Sequence, residues 1–306
     1  MINCITYANG YWVVGGRYKN DTGFCARIAY ATSLDGPWTT KDLWSGADYR
    51  TTLNDITYAN GYWVAVGRGY TSYFTAQLAY ATNLTGTWTT KTMWSTSSGR
   101  DASAYCVAYG NGYWVVGGRY ESSSSHCDAR IYYATSLDGT WEYNNLWYDA
   151  YHLSAVYDVA YGNGYWVAVG CRPDGGKGKA YMAYSTEING TWTSKSLFNG
   201  SLYCIIYVNG KWIAGGGLDD LENGAICYCD TPDGVWESNK IAGGVVRCIA
   251  YADGNYVAGI EHTADLNYCG LSYCTSLSGT WGTRILWSGS ENSRAYGINN
   301  LVYADE

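Results

Sequence analysis

The sequence predicts an all-β fold, a single β-propeller of six four-stranded antiparallel blades. Three observations support this prediction: a repeat along the whole chain, a hairpin signal at one place in every repeat, and a strand-forming composition. The 306 residues include 33 Tyr, 15 Trp and 39 Gly but only 3 Phe. Aromatic and β-branched residues favour strands and glycine supplies turns, whereas helix-forming stretches are missing. One propeller would use the whole chain as a single domain.

The repeat is marked by a tyrosine in the motif Ile-x-Tyr-Ala/Gly-Asn-Gly-Tyr-Trp-Val, which recurs every 44 to 52 residues or so. We expect six complete units and a seventh that contains only a first strand. The marker tyrosines are Tyr7, Tyr58, Tyr109, Tyr161, Tyr207, Tyr251 and Tyr303. The predicted units span approximately residues 2–52, 53–103, 104–155, 156–201, 202–245 and 246–294, and residues 295–306 form a partial repeat or closing strand.

Each unit divides into four strands, a to d, at its turn residues. A pair of turn residues between strands a and b predicts a type I′ hairpin, because both central residues need φ > 0. Strand c follows a variable loop, and strand d follows a tryptophan such as Trp38. The hairpin pairs are Asn9-Gly10, Asn60-Gly61, Asn111-Gly112, Asn163-Gly164, Asn209-Gly210 and Asp253-Gly254.

The turn between strands c and d resembles the Asp-box of sialidase-like propellers. The best copies are residues 33–38, 136–141 and 231–236, with degenerate copies at 83–86, 187–190 and 276–279. In that family the Asp holds backbone amides and the Trp plugs the core, on the face opposite the binding site. The resemblance therefore implies a propeller whose ligands bind at the b–c and d–a loops. The family's sialidases also carry three substrate-binding arginines, a Tyr/Glu nucleophile pair and an Arg-Ile-Pro motif, and this last motif is missing here.

Arginine recurs on the predicted loop side at two places of the repeat, the end of strand b and a point five or six residues before strand a. The planar guanidinium group binds carboxylates and sulfates in a bidentate manner, and nearby tyrosines offer surfaces for sugar rings. An anionic or polyhydroxylated ligand fits this pattern. The predicted ligand-binding residues are Arg17, Arg50, Arg68, Arg100, Arg119, His152, Arg172, Arg294, Tyr18, Tyr49, Tyr70 and Tyr120.

A structural interpretation of the same arginines stays open. They would then pair with acidic side chains and join neighbouring blades, since ion pairs are common between repeats and contribute modestly to stability. The acidic candidates are Asp48, Asp101, Glu121 and Asp149.

The eleven cysteines form a pattern that is compatible with disulfides or with buried thiols. Four precede the marker tyrosine by three residues, and four others follow at a similar distance along the chain. Disulfides within a blade would indicate an oxidising compartment, but strands a and c are not adjacent, so the loop would have to fold inward. The candidate pairs are Cys4/Cys25, Cys106/Cys127, Cys204/Cys227 and Cys248/Cys269.

We predict a non-catalytic module that recognises cell-surface carbohydrate through several similar sites. A structural or receptor-binding part of a phage tail or surface fibre is the first alternative, and a glycoside hydrolase is the second. A glycosidase needs two positioned carboxylates. The acidic candidates, Asp48, Asp101, Asp149, Glu261 and Glu291, look like ordinary loop variation, so we expect no enzyme activity.

The expected partner is a glycan or a cell-surface receptor, outside the cell or on a virion or cell surface. A net charge of -7 argues against nucleic acid, and the apolar runs are too short for membrane insertion. No cofactor or metal is expected, since the three histidines are scattered and no Cys-x-x-Cys pair occurs. The last strand would close the ring, pair with another chain or begin a further blade.

Overall fold

The computed structural model of the chain describes residues 1–96, 100–150, 153–175, 177–219, 223–261, 268–288 and 298–301. These residues form strands and turns, and no helix occurs among them, which confirms the all-β prediction. Among them there is accordingly no helix long and apolar enough to cross a membrane. The chain divides into two compact units, Met1–Val156 and Tyr157–Glu306.

Three antiparallel sheets of four strands make up the first unit, and each sheet comes from one repeat. In every sheet the strands lie in chain order, because short turns join neighbours. The first sheet contains β1 (Ile2–Ala8), β2 (Tyr11–Asn20), β3 (Gly23–Ala31) and β4 (Thr39–Gly46). The second contains β5 (Thr52–Ala59), β6 (Tyr62–Tyr70), β7 (Phe74–Ala81) and β8 (Thr89–Ser95). The third contains β9 (Ala102–Gly110), β10 (Tyr113–Ser123), β11 (His126–Ala134) and β12 (Glu142–Asp149).

The second unit has one sheet of seven strands and one of four. The seven-stranded sheet contains β13 (Ala155–Gly162), β14 (Tyr165–Asp174), β15 (Lys177–Ser185), β16 (Thr193–Val208), β17 (Lys211–Leu218), β18 (Asn223–Cys229) and β19 (Glu237–Ala242). The last sheet contains β20 (Val245–Ala252), β21 (Asn255–Glu261), β22 (Tyr268–Cys274) and β23 (Gly282–Ser288).

The structure has five sheets where the sequence predicted six blades, because strand β16 serves two repeats. Its first half pairs with β15 as far as Asn199, and its second half pairs with β17 from Gly200 onward. Gly200 has a φ of 147°, a conformation that L side chains rarely adopt, so glycine lets the chain change partner without a loop. The four-stranded antiparallel repeat is confirmed, whereas the number of blades and the closure of the ring are not.

The six predicted a–b hairpins are confirmed by their backbone angles. Both turn residues have positive φ in every case, from 45° at Asn111 to 80° at Gly112, as a type I′ turn requires. The position therefore needs Asn or Asp followed by Gly.

The c–d turns share one geometry. In each turn the glycine N–H donates to the carbonyl three residues earlier, as Gly36 does to Ser33 at 3.1 Å. Trp38 Nε1 donates to the Leu34 carbonyl of its own turn at 3.3 Å, and the residue is 37% exposed. The equivalent tryptophans of other repeats are half-buried and pack against core residues: Trp88, Trp141, Trp236 and Trp281.

Tryptophans of strand b fill the interior. Four of them are essentially inaccessible to solvent: Trp63, Trp114, Trp166 and Trp212. Each carries the marker tyrosine against its ring, as in the pair Tyr58–Trp63, whose centroids lie 4.9 Å apart. Aromatic burial of this size dominates the stability of small sheets.

The predicted seventh strand is only partly described, since residues 302–306 lie outside the described residues. Residues 298–301 form no strand. Ile298 packs against Gly259 of the sixth repeat, and its carbonyl accepts the Cys248 thiol at 3.1 Å. Leu53 packs against Gly15 of the first repeat in the same way, so Ile298 occupies the place of the next repeat's first strand.

All eleven cysteines are buried free thiols, so the disulfide interpretation is not supported. Strands β1 and β3 flank β2 on opposite sides, where Cys4 lies opposite Gly15 and Cys25 lies opposite Tyr18. Two strand spacings amount to about 10 Å, which exceeds the Cα separation that a disulfide tolerates. Burial raises the pKa of Cys227 and Cys248 to about 12, which keeps these thiols protonated.

Within each compact unit, lysines of strand d bond to the c–d turn of the next repeat. Lys91 Nζ donates to the Leu137 carbonyl at 2.5 Å. Lys195 Nζ reaches the Asp233 carbonyl at 2.7 Å, and Lys41 bonds to the Gly86 carbonyl. These contacts replace part of the hydration of the turn carbonyls by a charged donor.

Replacing Lys91 by Met should lower the free energy of unfolding by about 1–2 kcal/mol, because a charged hydrogen bond between repeats is lost while the apolar stem remains. Urea unfolding at neutral pH measures this cost. Lys177→Met, at an exposed position of β15, is the matched control and should change stability by less than about 0.5 kcal/mol. Equal costs for the two variants would contradict the role of Lys91.

A buried aspartate links the first strands of consecutive repeats. Asp55 accepts the Ile56 N–H at 2.8 Å and the Val107 N–H of the next repeat at 2.9 Å. Asp158 bonds to Val159 and Ile205 in the same manner. Burial raises the pKa of the Asp55 carboxyl to about 6, although both amides favour its charged form.

Because the pKa of Asp55 is raised on folding, its titration favours the folded state below about pH 4 and loses this contribution as the pH rises through about 6. Relative to Asp55→Asn, the wild type should therefore lose on the order of 2 kcal/mol of stability between these pH values. Urea titrations of both proteins across this range measure the difference. A constant difference between them would show that the folded and unfolded pKa values are equal.

Candidate functional site

The best-defined charged group in the first unit is Asp101, which lies between two arginines of neighbouring repeats. Asp101 comes directly before β9, Arg68 lies in β6 and Arg119 lies in β10. Arg68 Nη1 is 3.0 Å from Asp101 Oδ1, and Arg119 Nη1 is 3.4 Å from Oδ2. The three side chains retain between 13% and 20% exposure, so solvent and solutes reach them.

Tryptophans at the end of strand d fix the backbone at both arginines. Trp44 Nε1 donates to the Arg68 carbonyl at 3.0 Å, and Trp94 Nε1 donates to the Arg119 carbonyl at 2.9 Å. Each arginine follows a glycine, and a Cβ on Gly118 would lie 2.8 Å from Cζ2 of Trp94. The Gly-Arg pair thus lets the preceding repeat pack closely against the strand and hold the arginine in place.

Asp101 is held in its ionised form. Burial opposes ionisation, but Arg68, the Ser103 hydroxyl and Arg119 outweigh it and hold the pKa of Asp101 below its usual range. The Ser103 hydroxyl donates to Asp101 Oδ1 at 2.6 Å, and Arg68 Nη1 lies 3.3 Å from the same hydroxyl. The site therefore presents a fixed carboxylate at neutral pH.

A second carboxylate and a phenol complete this site. The Asp101 N–H donates to Glu121 Oε2 at 3.1 Å, and the Glu121 N–H donates to the Asp101 carbonyl at 3.0 Å. Tyr105 lies close to Ser103, and burial raises the pKa of its phenol. We call Arg68, Asp101, Ser103, Arg119 and Glu121 the Asp101 cluster.

Two other predicted arginines border the Asp101 cluster. Arg50 forms a bidentate pair with Asp48, with both N–O distances 2.8 Å, and its guanidinium carbon lies 4.1 Å from the ring centroid of Phe74. Arg17 donates to the Tyr49 carbonyl and lies 5.8 Å from the Tyr49 ring. Tyr49 is 58% exposed, so it offers an open aromatic face beside both arginines.

The pairing of the arginines with acidic residues is confirmed for Arg50, Arg68 and Arg119. Asp101 binds arginines of two repeats, as the structural interpretation expected. These ion pairs leave the ligand-binding role of the same residues as a prediction.

The remaining predicted residues are not brought into the Asp101 cluster. Tyr18 stacks on Arg27 at 3.6 Å, and Tyr120 packs on Arg130 at 4.2 Å. Tyr70 packs on Phe74 with ring centroids 4.9 Å apart. Arg172 belongs to the second unit, where it donates to the Tyr181 hydroxyl at 2.9 Å. Arg100 precedes Asp101 in the chain. His152 and Arg294 lie outside the described residues.

A charged group that the sequence analysis missed occurs in the second unit. Arg247 Nε is 2.6 Å from Glu261 Oε2, and its guanidinium carbon lies 4.1 Å from the Tyr203 ring. Arg247 is the residue at a β-bulge, four residues before the marker tyrosine. The signal was present in the sequence, since the same position holds Asn54 or Tyr105 in other repeats and a cation only here.

Comparisons with known proteins find structural likeness only. Neither a scan against family models nor a search of curated proteins finds a match. A Trypanosoma rangeli sialidase in complex with 2,3-difluorosialic acid is 12% identical, with a TM-score of 0.52 over 85% of this chain and 51% of the sialidase. The catalytic domain of a Coprinopsis cinerea GH62 α-L-arabinofuranosidase is 13% identical, with a TM-score of 0.44 over 79% of this chain and 90% of that domain. The chain thus matches about half the length of the sialidase, and this likeness supports the β-propeller fold.

These comparisons correct the predicted function. We predicted a non-catalytic module that binds carbohydrate, and we expected no enzyme activity. Both predictions are wrong. The sialidase that the chain resembles is an enzyme, so the fold gives no ground for expecting a protein without enzyme activity. The likeness itself shows the fold alone.

Replacing Asp101 by Asn should lower the free energy of unfolding by about 2–3 kcal/mol at neutral pH, because two partly buried guanidinium groups lose their counterion. The pKa of Asp101 is depressed on folding, so its contribution is present above about pH 4 and disappears as the pH falls through the folded value. Urea unfolding at neutral and acidic pH measures both effects.

Asp42→Asn is the matched control, because Asp42 pairs with Arg27 in an exposed ion pair whose aspartate is 38% accessible. Its loss should cost less than about 1 kcal/mol. An Asp101 variant as stable as this control would contradict the central position of Asp101 in the cluster.

Proposed function

We propose that the protein is a glycoside hydrolase that acts on acidic glycans and that the Asp101 cluster is its active site. The observation that supports this most strongly is that two carboxylates lie together. Asp101 is ionised and partly accessible, and the Glu121 carboxylate accepts the backbone N–H of Asp101. Glycoside hydrolysis needs two carboxyl groups with different roles beside the scissile bond.

In this proposal Asp101 is the nucleophile and Glu121 is the general acid. Glu121 donates its proton to the glycosidic oxygen while the bond between that oxygen and the anomeric carbon breaks, and Asp101 attacks the anomeric carbon. Glu121, now a carboxylate, then accepts a proton from water, whose oxygen displaces Asp101. Ser103 and the two arginines hold Asp101 in one orientation, which supports direct attack by a fixed carboxylate.

The arginines support the choice of an acidic substrate. Arg68 uses Nε and Nη1 for bonds to the Arg50 carbonyl and Asp101. Its Nη2 makes no hydrogen bond with any residue in the described part of the chain. Arg50, at 39% exposure, contacts the same Phe74 ring as Arg68 does. The carboxylate of an acidic sugar would bind to the planar guanidinium groups of Arg68 and Arg50.

Three further features belong to this proposal. The six repeats would form six blades, with β16 passing from the fourth to the fifth and the last residues sealing the ring or joining another chain. The substrate would be a glycan of a cell surface, met outside the cell or on a virion or cell surface. The predicted tyrosines, Tyr49 above all, would pack against sugar rings beside the arginines.

Hydrolysis of chromogenic glycosides tests this function. The protein should release the chromophore from uronic or sialic acid glycosides faster than from the neutral sugars of the same shape. Asp101→Asn and Glu121→Gln should each lower kcat by at least about a hundredfold, because each removes one of the two reacting carboxyl groups. Arg68→Leu should raise KM for acidic glycosides and also lower kcat, because Arg68 orients Asp101 as well as facing the substrate.

Asp42→Asn, remote from the cluster, is the control and should keep full activity. Glu261→Gln tests whether the Arg247–Glu261 pair of the second unit is the active site instead. If Glu261→Gln abolishes hydrolysis and the Asp101 and Glu121 variants do not, the active site lies at that pair. A folded wild type that hydrolyses no glycoside of either kind would contradict the proposed function.

A further inference from the structure

A cleft of about 410 Å³ lies between the loops of the first two repeats. The loop between β2 and β3 forms one wall, and the end of β6 with the turn after it forms the other. The end of β4 and the residue after it form the floor. The residues used below are Asn20, Thr22, Phe24, Ser45, Ala47 and Tyr70. The volume lies within the range of small-ligand sites.

The chemistry of the walls is that of a neutral, polyhydroxylated ligand. Phe24 and Tyr70 supply aromatic surface, while Asn20, Thr22 and Ser45 supply an amide and two hydroxyl groups. No charged side chain lines the cleft among the described residues. Sugar rings combine C–H faces, which pack on aromatic rings, with hydroxyl groups that exchange hydrogen bonds with such polar groups.

The cleft is preformed by local bonds and by two glycines. Asn20 Oδ1 accepts the Thr22 N–H and hydroxyl, both at 3.0 Å, which fixes the loop between β2 and β3. A Cβ on Gly23 would lie 2.7 Å from the Gly46 carbonyl, and a Cβ on Gly46 would collide with the Tyr70 backbone. The floor can therefore approach both walls only because neither glycine carries a side chain.

One aromatic pair connects the cleft to the charged residues. Tyr70 lines the cleft and packs on Phe74 at 4.9 Å. Arg50 and Arg68 lie over Phe74 at 4.1 and 5.3 Å. A ligand that places an acidic group on these arginines therefore has the neutral cleft beside it.

We propose that this cleft binds a neutral sugar ring of the substrate, next to the acidic sugar at the Asp101 cluster. This inference rests on the proposed function and deepens it, because it makes the substrate a mixed chain in which a neutral sugar adjoins an acidic one. The chemistry at the two places is different, since one presents guanidinium groups, whereas the residues that line the other carry amide, hydroxyl and aromatic groups. Arg17 and Lys19 approach the cleft only over the Phe24 ring, at 5.8 and 6.0 Å.

Saturation-transfer NMR with the methyl glycosides of glucose, galactose, mannose and N-acetylglucosamine tests the cleft without hydrolysis. At least one of these probes should receive saturation from the wild type. Ala47→Trp should reduce this transfer by at least about fivefold, because an exposed alanine of the cleft becomes a ring that fills it. Tyr73→Ala is the matched control: Tyr73 is 43% exposed in the same loop as Tyr70 but does not line the cleft, so binding should persist.

The outcomes separate the cleft from catalysis. Asp101→Asn should bind the neutral probes as the wild type does, because Asp101 does not line the cleft. Failure of all four probes, or unchanged transfer to Ala47→Trp, would overturn the inference even if hydrolysis occurs. Binding that Ala47→Trp loses, in a protein without hydrolytic activity, would support a neutral-sugar site and overturn the proposed function instead.

Discussion

The contact between a tryptophan of one repeat and a Gly-Arg pair of the next organises the described structure of the first unit. Trp94 packs against Gly118 and bonds to the Arg119 carbonyl, and Trp44 does the same with the next repeat. This single contact buries an aromatic ring between two sheets and also satisfies a backbone carbonyl. The glycine is required because a Cβ at Gly118 would collide with the Ser103 carbonyl of the adjacent strand and would also lie 2.8 Å from the Trp94 ring.

The same contact places charge at a defined point, which links the fold to the proposed chemistry. Arg68 and Arg119 follow equivalent glycines, so they approach Asp101 from two repeats and hold it as a carboxylate. An ion pair of this kind gives little net stability, because desolvation offsets much of the attraction. The ion pairs instead fix the orientation of the Asp101 side chain, while the backbone N–H of Asp101 donates to the Glu121 carboxylate.

Turn residues made the strands and hairpins predictable from the sequence. The state of the cysteines and the partners of the charged residues depend on packing between strands, which the sequence does not show. The Asn-Gly pairs defined the hairpins, because few residues tolerate the positive φ values that both turn positions require. The cysteines could not be assigned from spacing, since their separation depends on which strand lies between them. The importance of Arg247 was missed because its contact with Glu261 depends on a β-bulge. Asp101 was expected as an ion-pair partner but not as a catalytic residue, because in the sequence it looks like ordinary loop variation.

Hydrolysis in water enriched in oxygen-18 tests the central claim most directly. The protein is incubated with acidic oligosaccharides that contain neutral sugars, and mass spectrometry measures the masses of the products. Cleavage through Asp101 and Glu121 predicts that the new reducing sugar carries one heavy oxygen and that Asp101→Asn forms no product. Intact oligosaccharides after incubation with the wild type, or an unlabelled unsaturated product of elimination, would contradict a glycoside hydrolase at this site.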